Sequence, residues 1–170
     1  MRCRASPAWR FSYVGAILMN PGCTFVPTET AARSLGIALK ISEVLGANEF
    51  PNAFAKMAAE GVDAIAVTDD VILITNSQAI ADLAARHRLP SIGSRYLAEA
   101  GGVIGYGVDA LESYRHAAIF VDKILKGAKP SDLPIEQATR FQLIINLKTA
   151  KALGLTIPQP VLVRADEVIQ

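Results

Sequence analysis

The chain is poor in the residues that mark most catalytic and metal-dependent chemistry. It has two cysteines, Cys3 and Cys23, far apart and outside any C-x-x-C pattern. That argues against a disulfide framework or a thiolate metal site, and both are read as incidental. The two histidines, His87 and His116, fall within predicted helices, with no partner at metal-ligand spacing and no Ser-His-Asp grouping around them. Charge of one sign is also missing. Seventeen Lys and Arg stand against sixteen Asp and Glu, a formal net charge of +1, so there is no field to gather nucleic acid or an anionic membrane surface. No apolar run approaches the roughly 18 residues of a membrane span. No Walker A lysine motif occurs, and the cluster Gly101-Gly102-x-x-Gly105-x-Gly107 precedes and enters a strand, whereas a dinucleotide loop follows one. No cofactor is expected.

Apolar residues are plentiful, at 51% against 19% charged, enough for 170 residues to bury a core. The arginine-bearing stretch Met1 to Arg10 followed by apolar Phe11 to Met19 resembles the start of a signal peptide. It lacks a small-x-small cleavage site and runs straight into Asn20-Pro21, so Tyr13 to Met19 is read as a buried parallel strand instead.

Strands and helices then alternate. Helices are predicted from Pro27 to Gly36, Phe50 to Glu60, Asn76 to Arg88, Tyr96 to Ala100 and, capped by Asp109, through Lys126. Strands are predicted at Ile37 to Val44, Asp63 to Val67, Ser91 to Gly93 and Val103 to Val108. The rhythm predicts an α/β Rossmann-like lobe, a five-stranded parallel sheet of order 2-1-3-4-5 between helical layers. Residues 1–12 read as a loosely ordered leader and 13–127 as the ligand-binding lobe. Residues 128–170 read as a Pro-punctuated C-terminal hinge or crossover segment, with a strand at Phe141 to Leu147 and a helix at Lys148 to Leu153.

Ligands of open parallel sheets bind beyond the carboxyl ends of the strands. That rule selects Asn20, Thr68, Asp69, Asp70, Ser94, Tyr106 and Asp109 as candidate ligand-binding residues, with Gly93, Arg95 and Val108 beside them. The set suits a small polar organic molecule. Most also have a structural alternative: Asp109 can cap a helix, Asp69-Asp70 can cap or precede the next helix, Asn20-Pro21 can be a turn, Tyr106 can be packing, and Arg95 can pair with Glu99 one helical turn on.

Several stretches carry a family resemblance. They are Ala79-Ile-Ala-Asp-Leu-Ala-Ala-Arg-His-Arg-Leu-Pro90, Glu99-Ala-Gly-Gly102, Tyr106-Gly107, Ile124-Leu-Lys-Gly-Ala-Lys-Pro130, Ser131-Asp-Leu-Pro134, Asn146-Leu-Lys-Thr-Ala-Lys-Ala-Leu-Gly-Leu-Thr-Ile-Pro158 and Arg164-Ala-Asp-Glu-Val168. In order, they resemble the C-terminal half of the ABC-transporter substrate-binding proteins related to tryptophan- and tyrosine-type importers, which are type I periplasmic binding proteins. The resemblance implies two Rossmann-like lobes closing on a ligand, of which this chain holds the second lobe plus the crossover segment. It places Asn20, Asp70 and Tyr106 at the cleft and Asp109 next to it. The chain departs from the pattern at Asp70-Val71 (usually Asp-Pro), at Gly105 (usually Ser), and in a shortened segment from Asn20 to Arg33.

The function implied is the solute-binding component of an ABC importer, binding an amino-acid-like or other organic ligand and delivering it to a permease. It is not expected to be an enzyme or to bind nucleic acid. One lobe alone should bind weakly, and a homodimer in which a second copy stands in for the absent lobe is expected. The alternative is a truncated paralogue or interaction domain with no ligand of its own. The resemblance places the protein in the periplasm; with no convincing export signal, a chain truly starting at Met1 is expected to stay in the cytoplasm.

Overall fold

The structure is a computed structural model, described here for residues 14–19, 26–137 and 140–170. Asn20, Cys3, Cys23 and the expected leader lie outside the described residues.

Five strands form the predicted parallel sheet: β1 (Val14–Met19), β2 (Ala38–Glu43), β3 (Ala64–Val67), β4 (Ser91–Gly93) and β5 (Ile104–Val108), in the order β2-β1-β3-β4-β5. β1 and β3 are short and apolar, as strands buried between layers should be, whereas the edge strand β2 carries Lys40, Ser42 and Glu43 and is exposed or half-buried throughout. The register puts Ile17 beside Ile41 on one side and Ala66 on the other. The helices between them are α1 (Val26–Ser34), α2 (Phe50–Ala59), α3 (Val71–Thr75), α4 (Ser77–Arg86) and α5 (Arg95–Glu99). After β5 comes α6 (Ala110–Leu125).

The sheet is longer than expected. β6 (Phe141–Asn146) pairs antiparallel with β5, and β7 (Glu167–Ile169) pairs parallel with β6, making seven strands. The segment expected to cross away from the lobe thus extends its sheet, with α7 (Leu147–Ala152) and α8 (Gln159–Leu162) between the two strands. An apolar strand beside the edge of β5 satisfies that edge's free N–H and C=O groups, which otherwise remain a liability.

The second departure is at Asn76. A single helix was expected to begin there; instead α3 precedes it and α4 follows, with Asn76 at φ −108°, ψ 20° between them. Asp70 starts α3 early by accepting the Ile72 amide hydrogen bond at 2.8 Å, and the Asn76 side chain donates to the Ile72 carbonyl at 2.8 Å. Local side-chain bonding of this kind competes with helix continuation.

The core lies on the face of the sheet covered by α2, α4 and α5. Ala16, Leu18, Ile65 and Val67 from the strands meet Phe50, Phe54, Met57, Ile80, Ala84 and Leu97 from the helices, all buried. Phe54 also stacks on His87 at 6.2 Å, so that histidine is packing material at the end of α4. Gly61, at φ +67°, turns the chain out of α2 in the left-handed region that favours glycine. None of the sixteen residues of α6 is buried.

Candidate functional site

The carboxyl ends of β3, β4 and β5 open into a hollow of about 860 Å³. Asp69, just past β3, Ser94, just past β4, and Asp109, just past β5, all line it. They converge because parallel strands carry every following loop to the same rim. Ile74, Arg95, Tyr96, Gly107, Leu111, Tyr114, Gln142 and Ile144 complete the walls.

Asp69 is solvent-exposed at its outer edge but lies against the sheet, and partial desolvation pushes its carboxyl pKa up from the ordinary value near 3.8. Gly107 makes room for it: a Cβ at that position would stand 3.3 Å from Asp69 Oδ2. Ser94 adopts the extended conformation ahead of α5, yet its hydroxyl does not cap the helix. Its backbone carbonyl accepts from Leu97 at 3.1 Å, and the residue lines the hollow.

Asp109 is buried and engaged on both oxygens. Oδ1 accepts from the Glu112 amide at 3.1 Å, and Oδ2 accepts from Gln142 Nε2 at 2.7 Å, with Arg140 Nε 3.8 Å away. It is therefore both an N-cap and a wall of the hollow. Arg95 pairs with Glu99, as its spacing suggested, at 2.6 Å, and also reaches Glu167 on β7 at 2.7 Å. These partners, Glu99 above all, hold its guanidinium pKa above the usual range.

The other rim candidates are placed differently. Asp70 caps α3 and does not line the hollow. Tyr106 points from β5 away from Asp69 and stacks on Phe141 at 5.8 Å and 14°. Thr68 follows β3 directly and has a buried hydroxyl with no hydrogen-bond partner among the described residues. Asn20 lies outside the described residues. His116 sits elsewhere, exposed between Glu112 (3.5 Å) and Glu136 (3.3 Å), beside a second hollow of about 560 Å³ between α6 and Glu136, Gln137 and Arg140. No group of three or more His, Cys, Asp or Glu that could hold a metal occurs among the described residues, and no helix there is long and apolar enough to cross a membrane.

The rim rule overlooked Tyr114 and Leu111, which stand in the first turns of a helix starting at the rim. Extending the rule two turns into each following helix would have found both. Gln142 carried no such signal: it reaches the rim only because β6 runs antiparallel and sets it opposite Gly107.

The description of ABC transporter substrate binding proteins matches residues 25–169. The chain belongs to that family. No curated protein matches it. Among solved structures, an ABC domain in complex with L-Trp from Streptococcus pneumonia is 26% identical, with a TM-score of 0.82 over 92% of this chain and 55% of its own. A conserved domain protein from Vibrio cholerae is 25% identical, with a TM-score of 0.81 over 91% of this chain and 54% of its own. A ligand-free, open substrate binding protein with adhesive properties from Clostridium difficile shares the fold at 18% identity and a TM-score of 0.65. The chain spans about half the length of these structures. The α/β lobe predicted from sequence is thus the periplasmic-binding-protein fold. As a family, substrate-binding proteins bind solutes for ABC transporters, are generally not enzymes, and typically work in the periplasm or outside the cell.

Proposed function

We propose that this chain is a periplasmic solute-binding component of an ABC importer, taking a small amino-acid-like or other organic ligand at the carboxyl rim of its sheet and delivering it to a membrane permease. The observation that carries the reading is the rim hollow, which joins a carboxylate, a hydroxyl and a helix start to apolar and aromatic walls. Its volume suits a small organic ligand. Asp69 supplies a counter-charge for an ammonium group. Ile74, Leu111 and Ile144, with the rings of Tyr96 and Tyr114, suit an apolar or flat side chain. The L-Trp held by the related structure is a ligand of this chemistry.

We read binding without catalysis, because both histidines lie away from the hollow. A single lobe leaves the ligand half exposed, short of the roughly 70–90% burial of formed sites, so closure needs a second lobe or a second copy. Calorimetric titration with a panel of amino acids, tryptophan included, tests the reading. Weak, saturable heat for zwitterionic ligands that is lost in Asp69→Asn is expected; micromolar affinity in a proven monomer would contradict it.

One observation favours a second reading, an interaction domain without ligand. Asp70 and Asp109 both spend carboxylate oxygens on helix caps. That reading predicts no heat and no thermal shift for any member of the panel.

A further inference from the structure

Three glycines in and around β4 and β5 lack side chains for a reason that lies in the packing. A Cβ on Gly93 would stand 2.7 Å from Leu97 Cδ2 and 3.2 Å from the Val67 carbonyl oxygen. One on Gly102 would stand 2.9 Å from the Leu97 carbonyl oxygen, and one on Gly105 would stand 3.2 Å from Arg95 Cα and from the Ser94 carbonyl oxygen. α5 lies too close to these strands for anything larger.

Gly107 is different. It sits inside β5, where a glycine weakens the strand for want of a side chain to pack. Its backbone does not require glycine, because its φ is outside the left-handed region. No backbone atom of another element crowds it: among the described residues a Cβ there would meet one atom within 4 Å, Asp69 Oδ2 at 3.3 Å. That atom ends a side chain that can turn aside. Neither conformation nor packing accounts for this glycine, and it lines the rim hollow.

Its neighbours indicate what comes there. On one side is Asp69, whose carboxylate has no hydrogen-bond or ion-pair partner among the described residues. On the other is Gln142, opposite Gly107 in the β5–β6 pairing, with its amide committed to Asp109 at 2.7 Å. Asp109 has both oxygens engaged, and Arg95 is held by Glu99 and Glu167. Of the charged side chains lining the hollow, Asp69 is the one left to meet a ligand.

We infer that Gly107 determines what the hollow accepts: its missing side chain is the slot through which a primary ammonium, with the carbon that bears it, reaches Asp69. The ligand then comes closest to the sheet over a residue that has no side chain of its own. An ammonium bonded to Oδ2 lies at about 2.8 Å, inside the space that a methyl group on Gly107 would crowd. The inference rests on the ligand reading above and adds to it a specificity-determining position.

Calorimetric titration of the 170-residue chain with tryptophan and the other protein amino acids, beside thermal melting without ligand, tests it. Gly107→Ala should melt at or above the wild-type temperature, because alanine at an ordinary φ loses less freedom on folding. It should bind the wild type's best probe about ten-fold more weakly or worse, the scale of one misplaced methyl group in a site. Gly107→Val should bind none of them. Gly15→Ala, a strand glycine that does not line the hollow, should bind as the wild type does. Wild-type affinity in Gly107→Ala would overturn the inference and leave the ligand reading standing. A lowered melting temperature in that variant would also overturn it, by marking the glycine as a packing requirement. A wild type silent to every probe would remove the ligand reading and the inference together.

Discussion

Gln142 on β6 donates a 2.7 Å hydrogen bond to Oδ2 of Asp109, thirty-three residues earlier in the chain, while Oδ1 of the same carboxylate caps α6. The pair joins the edge strand to the start of the helix, so the direction in which α6 leaves the rim is set by the antiparallel pairing of β5 and β6. Arg95 extends the connection, approaching Gln142 Oε1 at 3.4 Å and Glu167 of β7 at 2.7 Å. A continuous polar chain thus runs from the helix cap to the last strand.

Replacing Asp109 tests the double role. Asp109→Ala loses the cap and strands the Gln142 amide, and should cost about 2 kcal/mol, the sum of a typical cap and a lost partly buried hydrogen bond. Asp109→Asn keeps a capping oxygen and should cost about half as much. Urea denaturation measures both, and equal losses for the two variants would show that capping contributes nothing.

Gly102 is a packing constraint. A Cβ there would stand 2.9 Å from both Leu97 O and Leu97 Cγ, and the backbone oxygen is fixed, because it accepts the Gly102 amide at 2.7 Å. Gly102→Ala should therefore destabilise by about 1–3 kcal/mol, as overpacking does. Gly15→Ala, whose Cβ would meet nothing closer than Ile37 Cγ2 at 3.4 Å, is the matched control and should be near neutral. Thermal unfolding of the two variants decides it.

How much of this was legible follows from range. β1 and β3 announce themselves as continuous apolar runs between turn residues, the other parallel strands by their place in the alternation with helices, and the order follows from right-handed crossovers. The Asp109 helix was legible from its cap and from Gly127. Contacts that depend on distant pairing were not. The strand at Phe141 was predictable, but nothing in its residues says that it runs antiparallel to β5. β7 has three residues after a Pro-rich stretch, too few for a period. The site divides the same way: Asp69, Ser94 and Asp109 follow from strand ends, whereas Gln142 comes from register alone and Tyr106 is turned aside by the pleat of β5 to meet Phe141.

Thr68 offers a clean separation of structure from binding. Its buried hydroxyl has no partner among the described residues, and such a group costs roughly 1–3 kcal/mol. Thr68→Val keeps the shape and removes the cost, so the free protein should be as stable as the wild type or slightly more so. Should the hydroxyl meet ligand, affinity falls in the same variant. A stabilised variant with unchanged binding would assign Thr68 to the scaffold; a destabilised one would mean the hydroxyl has a partner in the folded protein.

Asp69 gives the site a pH dependence whose sign can be worked out. Its pKa is raised in the folded protein by partial desolvation, so the folded state holds the proton more tightly than the unfolded chain. The resulting contribution to stability is complete below the ordinary value near 3.8 and is lost as pH rises through the raised folded value. At neutral pH the charged carboxylate is therefore a small burden, and Asp69→Asn should melt slightly higher than the wild type at pH 7, with the difference shrinking in acid. An ammonium ligand reverses the balance, because it favours the charged form. Its affinity should rise as pH climbs through the raised folded value in the wild type and stay flat in Asp69→Asn. Calorimetry across that transition, with a zwitterionic amino acid as probe, reads the slope. A flat profile in both proteins would remove Asp69 from the binding site and leave only its effect on stability.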